Sequence, residues 1–333
     1  ALRTSPPPTT LVDPTGEGSA GSHECGSLIT IQVRLDGDVV EAAGFRAYGC
    51  PETLASAAEA ARQVEGRSLL EAALVSEAAL IETLELPPDK WSRAAAAGDA
   101  LHAALGQALM CSARTAADRG DPRGVLVGMS GGVDSTVAAL LLREQGYRPV
   151  GATLKLWTDP ESNTENSCCS GEAVQRARRV AHRLGIPHFT LNAVEAFFAD
   201  VVQYFLAEYS AGRTPNPCAK CNARLRFGLL AEAAARLGLG KIATGHYARL
   251  TGDPPRLARG AYEPKDQSYV LSEIAPELLE HTLFPLGELD KLTVRALARE
   301  AGLEGFDVPE SQEICFVPQA GHRTFLRRHL GAR

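Results

Sequence analysis

Val125-Leu126-Val127-Gly128-Met129-Ser130-Gly131-Gly132-Val133-Asp134-Ser135 is the stretch that decides the fold. Val125 to Gly128 is a short apolar run with the length of a buried strand, and a Gly/Ser turn carries it straight into a helical pattern, Val133 to Gln145. Outward from there the rhythm repeats. Pro149 to Lys155 reads as a second strand, Glu172 to Leu184 as a helix ended by Gly185, and His188 to Leu191 as a third strand. A long helix follows from Val194 to about Ala211, then a helix Ala223 to Leu237 and a strand Lys241 to Thr244. Strand and helix alternation at this spacing predicts an α/β fold with a doubly wound parallel sheet. Such sheets bind ligands at the carboxyl ends of their strands, where the loops after Gly128, Lys155 and Thr244 converge.

The turn itself has the chemistry of an anion site. Glycines allow a tight bend and bring bare amides close to a ligand, and the following helix N-terminus adds its own amides. Ser130 and Ser135 supply hydroxyl groups, and Asp134 is the candidate ligand for a Mg2+ ion bridging phosphates. No Gly-Lys-Ser/Thr ending is present, so this is not a Walker loop. It resembles the pyrophosphate loop (PP-loop) of the N-type ATP pyrophosphatases, whose fold is adenine nucleotide α-hydrolase-like. That resemblance implies ATP cleaved between its α and β phosphates and a carbonyl oxygen adenylated.

A charged Gly/Pro segment, Asp118 to Arg123, separates this region from what precedes it and marks a domain boundary. Upstream, Leu28 to Leu35 and Val39 to Tyr48 read as a hairpin turned by Asp36-Gly37-Asp38. Helical patterns follow at Glu52 to Val64, Leu69 to Leu74, Glu77 to Leu84 and Ser92 to Cys111. The predicted layout is a disordered arm over 1–20, a small α+β domain over 21–117 and the catalytic domain over 118–333. A net charge of -6 excludes a globally basic protein, so any RNA contact must come from a local patch. No segment has the apolar length of a membrane span or the pattern of a signal peptide. Eight cysteines, in this company, suit thiol or metal chemistry in a reducing cytoplasm better than disulfides.

Two prolines stiffen Gly212-Arg213-Thr214-Pro215-Asn216-Pro217, which leads into Cys218-Ala219-Lys220-Cys221-Asn222. Cys221 is expected near the start of the next helix, where free amides favour a thiolate. With Gly128 to Ser135, this segment, Gly245-His246-Tyr247-Ala248-Arg249, Lys265-Asp266-Gln267-Ser268-Tyr269, Leu283-Phe284-Pro285-Leu286-Gly287 and Ser311-Gln312-Glu313-Ile314-Cys315-Phe316 resemble, in order, the tRNA-specific 2-thiouridylase (MnmA) family from about Arg123 onward. The resemblance implies an enzyme, a tRNA-uridine 2-sulfurtransferase that forms AMP. Gly128, Met129, Ser130, Gly131, Gly132, Val133, Asp134, Ser135, Leu154 and Gly245 would line the ATP site. Cys221 would be the nucleophile and Cys315 the persulfide carrier, with sulfur replacing the C2 oxygen of the wobble uridine, position 34. Asn216, Pro217, His246, Lys265, Asp266 and Gln267 would lie near the tRNA.

The chain departs from that family twice. Cys218 stands where many members have Asp, so that Cys218, Cys221 and Cys315 resemble the three-cysteine set that holds a [4Fe-4S] cluster in iron-sulfur tRNA thiolases. A bare persulfide and disulfide pair is the alternative, and a structural zinc would need a fourth protein ligand. The family also usually continues into a linker and a β-barrel, whereas this chain stops at Arg333. Other targets fit the same loop: another tRNA position such as 4-thiouridine, a small molecule, or a non-enzymatic role as sulfur or cluster carrier. Arg213, Lys220, Arg224 and Arg226 surround the cysteine loop as candidate RNA-phosphate contacts.

Upstream, Glu24-Cys25-Gly26-Ser27, Phe45 to Cys50 and Leu84 to Lys90 resemble the IscU/NifU-type iron-sulfur scaffold over Ser22 to Leu109. Cys25 and Cys50 match two scaffold cysteines, but Ser27 replaces an Asp, and Ser92 and Arg93 stand where the remaining ligands belong. The resemblance implies a docking module for a cysteine desulfurase or other sulfur donor, or a degenerate domain retained for packing or homodimer formation. Cys168 and Cys169 are either a sulfur relay or incidental loop thiols.

Overall fold

The computed structural model describes residues 10–22, 26–112, 120–159, 171–303, 314–318 and 321–330. The chain divides into two units, residues 1–117 with 181–192, and residues 118–180 with 193–333.

The first unit opens with three antiparallel strands in sequence order: β1 (Gly16–Ser22), β2 (Ser27–Asp36) and β3 (Val39–Tyr48). Ile29, Ile31 and Val33 alternate onto one fully buried face, while the polar Thr30 and Gln32 on the other face are buried as well. Four helices follow: α1 (Pro51–Val64), α2 (Leu69–Ala72), α3 (Glu77–Leu84) and α4 (Trp91–Cys111). Ser68 and Glu71 form a reciprocal capping box at α2.

Of the arm expected over 1–20, residues 1–9 lie outside the described residues, and from Gly16 on the chain is not an arm but the strand β1, which pairs with β2 along its whole length. Its small residues serve packing, not flexibility. A Cβ at Gly16 would stand 2.2 Å from the Ala104 carbonyl, and one at Gly18 the same distance from that of Ala100. The strand therefore lies directly on the alanine face of α4, where Ala97, Ala100, Ala104 and Ala108 are fully buried. His102, also on α4, places Nδ1 2.7 Å from the His188 carbonyl and Nε2 2.9 Å from that of Val75. These contacts tie 181–192 into this unit.

The remaining elements run β4 (Asp121–Gly128), α5 (Val133–Glu144), β5 (Arg148–Lys155), α6 (Gly171–Arg183), β6 (His188–Asn192), α7 (Val194–Phe197) and α8 (Gln203–Ser210). Then come α9 (Pro217–Cys221), α10 (Phe227–Arg236), β7 (Leu239–Thr244), β8 (Ala248–Thr251), β9 (Arg256–Arg259), α11 (Pro276–Leu279), β10 (Thr282–Leu283), α12 (Lys291–Glu300) and α13 (His322–Leu330). The sheet order is β10-β7-β4-β5-β6, with β4 parallel to both β5 and β7, and β7 parallel to β10. The order reverses around β4, so the loop after it opens at a switch point.

Two apolar clusters hold the larger unit. One packs α5 against α12 through Val133, Val137, Tyr247, Leu286 and Val294. The other gathers Leu156, Phe197, Phe205, Cys221, Leu225, Phe316 and Phe325, and the last of these brings in α13. Arg328 and His329 of that helix meet the buried Asp159 carboxylate, His329 at 3.1 Å. Among the described residues no helix is long and apolar enough to cross a membrane.

Candidate active site

The loop after β4 is built to leave amides open. Gly131 has φ +74°, which a side chain would strain, and a Cβ there would meet the Ala173 carbonyl at 2.4 Å. Ser135 Oγ accepts from the Ser130 amide at 3.1 Å and donates to the Gly132 carbonyl at 3.1 Å, bracing the turn from within. Thr153 donates to the Met129 carbonyl at 2.8 Å and Arg176 to that of Gly131, also at 2.8 Å. Helix α5 starts at Gly132, with no side-chain cap. Its first-turn amides are therefore available to an anion.

Around this loop lies a cleft open to solvent. Gly128, Met129, Ser130, Asp134, Ser135, Leu154 and Gly245 line it, all expected at the ATP site. Gly131, Gly132 and Val133 complete the loop between them. Gly245 is needed for close approach, since a Cβ would stand 2.7 Å from the backbone of Asp134 and Ser135. Gln267 and His246, expected near tRNA, line this same cleft.

Asp134 is contacted from outside the loop. Lys291 donates to both its carboxylate oxygens, at 2.7 and 2.8 Å, and the Tyr247 hydroxyl donates at 2.9 Å. The carboxylate is thus held by a buried lysine and a tyrosine hydroxyl at the edge of the cleft. Lys291, buried and 157 residues away in sequence, was not singled out by any local signal.

His246 accepts or shares a hydrogen bond with Thr244 at 2.8 Å between Oγ1 and Nδ1. Burial, and after it the Arg226 guanidinium, pushes its pKa down to about 3. The ring is neutral at physiological pH and acts by position. Asp266 also serves the fold: burial alone would raise its pKa, but hydrogen bonds from Gly260 and Ser268 outweigh that and hold it low. Lys265 closes a short 3-10 turn beside it.

The cysteine segment is more helical than expected. The helix begins at Pro217, not Ala223, because the Asn216 side chain accepts from the Ala219 amide at 3.1 Å and proline is tolerated at the first helical position. Asn216 and Pro217, expected near tRNA, are therefore a cap and a helix start. Cys218 falls in the first turn and is exposed, whereas Cys221 is the fifth helical residue and buried. A π-turn, Asn222–Arg226, follows at once and leads into α10. Asn222 donates to the Val270 carbonyl at 3.1 Å, tying this turn to the segment that carries Gln267.

Cys315, half-buried, packs on the apolar cluster in which Cys221 is buried. Leu154 and Leu156 belong both to that cluster's surroundings and to the cleft wall. Both cysteines thus belong to one apolar cluster, and two leucines of that cluster also line the cleft. The three-cysteine cradle expected for a [4Fe-4S] cluster is not formed: among the described residues, no group of three or more His, Cys, Asp or Glu is arranged to hold a metal ion.

In the first unit, Cys50 caps α1 and lies 3.3 Å from the Thr53 hydroxyl. Burial would raise its pKa, but hydrogen bonds with Thr53 and Arg93 prevail and hold the thiol below its usual range. Arg93 has replaced a ligand with a cation that favours thiolate. Cys25, Cys168 and Cys169 lie outside the described residues.

A Gly-rich loop between a central parallel strand and an uncapped helix, opening on a cleft lined by that loop and the ends of the neighbouring strands, defines a PP-loop-type nucleotide-binding domain. The family model described as "tRNA methyl transferase HUP domain" matches residues 123–319, and "NifU-like N terminal domain" matches 6–113. The chain belongs to the tRNA-specific 2-thiouridylase (MnmA) family, joined to a NifU-like domain. It is 46% identical over 315 residues to the "Bifunctional protein NifU/MnmA" of Rubrobacter xylanophilus, covering 92% of this chain and 64% of that protein. It is 49% identical over 213 residues to "tRNA-specific 2-thiouridylase MnmA 1" of Caldanaerobacter subterraneus subsp. tengcongensis, covering 62% of this chain and 58% of that protein. The match to the "tRNA-specific 2-thiouridylase MnmA" of Clostridioides difficile is 44% over 214 residues, covering 63% and 59%. The chain thus spans about three-fifths of the length of these relatives.

Proposed function

We propose that the chain is an ATP-dependent, AMP-forming sulfurtransferase that makes 2-thiouridine at the wobble position of tRNA in the cytoplasm. The observation that carries this is that Cys221 and Cys315 pack in one apolar cluster, of which Leu154 and Leu156 also line the phosphate-loop cleft. ATP lies with its phosphates on the open amides of the loop and of α5. The uridine C2 oxygen attacks the α-phosphorus, the α–β bond breaks and pyrophosphate leaves. The outer sulfur of a persulfide on Cys315 then attacks C2 and expels AMP. The Cys221 thiolate takes the inner sulfur, leaving the outer one on the base as a thiocarbonyl, and a thiol reductant reopens the Cys221–Cys315 disulfide.

Sulfur enters from a cysteine desulfurase or equivalent donor, for which the Cys50 thiol, with its cationic neighbour Arg93, is the receiving group. The [4Fe-4S] reading has the right ligand type in Cys218, Cys221 and Cys315, but these residues are not gathered to hold it, and no step is drawn through it. Magnesium would accompany ATP, held by phosphate oxygens and water.

Nucleoside mass spectrometry of tRNA incubated with the protein, ATP and a persulfide donor tests the proposal. It predicts 2-thiouridine together with AMP. Appearance of 4-thiouridine instead moves the target, and absence of both AMP and any thionucleoside leaves only a carrier role.

A further inference from the structure

Among the described residues lining the cleft, Arg226 is the one Lys or Arg. His246 beside it is neutral above about pH 3, and Lys291 is committed to both oxygens of Asp134. Loop amides offer only partial charges, whereas a nucleotide brings several full negative charges into a cleft walled by Leu154, Leu156 and Leu230. In such a place a guanidinium is worth far more than at the surface, and its fork matches phosphate oxygens in pairs.

The backbone explains how Arg226 comes to be there. In a regular α-helix a residue five positions beyond Cys221 would lie about 140° around the axis. Here Asn222–Arg226 forms a π-turn closed by the Phe227 amide on the Asn222 carbonyl. Its wider i→i+5 repeat carries the fifth residue back toward the face of the first. The turn is pinned from outside by Asn222 on the Val270 carbonyl. The thiol, buried in the cluster, and the guanidinium, lining the cleft, are thereby delivered from one helix by one local irregularity.

Resting on the ATP-dependent function proposed above, we infer that Arg226 is a catalytic residue whose guanidinium contacts the nucleotide phosphates, and that the π-turn after Cys221 sets the spacing between that phosphate site and the nucleophile. Arg226 is then no part of an RNA-binding patch, unlike the exposed Arg224 two residues earlier.

Titration of the full chain with magnesium AMPPNP, comparing Arg226→Gln, Arg226→Lys and Arg224→Gln with the parent, tests this. Arg226→Gln should bind at least about tenfold more weakly, Arg226→Lys should fall between, and Arg224→Gln should match the parent. Single-turnover AMP formation with tRNA should drop about 100-fold in Arg226→Gln, on the scale of losing one transition-state donor. Parent-like AMPPNP affinity in Arg226→Gln overturns the inference, as does an equal loss in Arg224→Gln. Arg226-dependent binding of AMPPNP in a protein that makes no AMP with tRNA upholds this inference while sinking the tRNA function.

Discussion

Replacing Lys291 with Met should unsettle the start of α5 and, with it, the phosphate loop. In the parent, Lys291 donates twice to Asp134, and Tyr247 donates once more. Only 10% of the Lys291 side chain is exposed, against 32% for Asp134. Removing one partner of a buried ion pair costs about 3–5 kcal/mol, because a charge is left uncompensated. Partial access of Asp134 to water softens that penalty, so about 2–3 kcal/mol is expected here. For a unit of this size that is a fall of roughly 5–10 °C in the midpoint of the corresponding transition. Thermal unfolding followed by tryptophan fluorescence and by circular dichroism reads it, the two probes guarding against separate melting of the units. Lys291→Met with Asp134→Asn removes both charges and should recover most of the lost stability. A parent-like midpoint in the single variant, or a double variant no better than the single, would refute the idea that this pair holds the loop.

Three further outcomes follow from particular contacts. Gly18→Ala should destabilise the first unit by at least about 2 kcal/mol in denaturant unfolding, since the new methyl meets the Ala100 carbonyl at 2.2 Å and either the strand or α4 must move. His246, with its folded pKa lowered to about 3, makes stability fall as pH drops below the ordinary histidine value: between there and about pH 3 the unfolded chain takes up a proton the folded chain refuses. Stability measured from pH 7 to 4 should therefore decline less steeply in His246→Asn than in the parent. The same depressed value means that the pH profile of AMP formation above pH 6 should show no titration removed by that substitution.

Local pattern carries much of the larger unit. The strand before Ser130 and the helix after it are fixed by an apolar run, a Gly/Ser turn and helical spacing, and they stand where those signals put them. Composition misleads at β1, where Gly16 and Gly18 look like linker residues but allow the backbone to touch α4; only knowledge of the alanine face opposite explains them. Asn216-Pro217 is an N-cap and first helical residue, and Pro215 just before it gives the same stretch the sequence signature of a stiff loop. The π-turn at Asn222 leaves no local trace, since its shifted hydrogen bond is selected by tertiary partners such as Val270. Lys291 is invisible for the same reason: its role exists only once α12 packs on α5. That Cys221 and Cys315 share one apolar cluster has no local signal, because the two lie far apart in sequence.

Sulfur transfer by single-cysteine variants tests the central claim most directly. With a 35S-labelled persulfide donor, ATP and tRNA, label entering tRNA is measured for Cys218→Ser, Cys221→Ser and Cys315→Ser. Persulfide chemistry by Cys221 and Cys315 predicts transfer retained in Cys218→Ser and lost in the other two. Equal loss in all three, with iron and sulfide bound to the parent protein, would contradict it and point to a three-cysteine cluster instead.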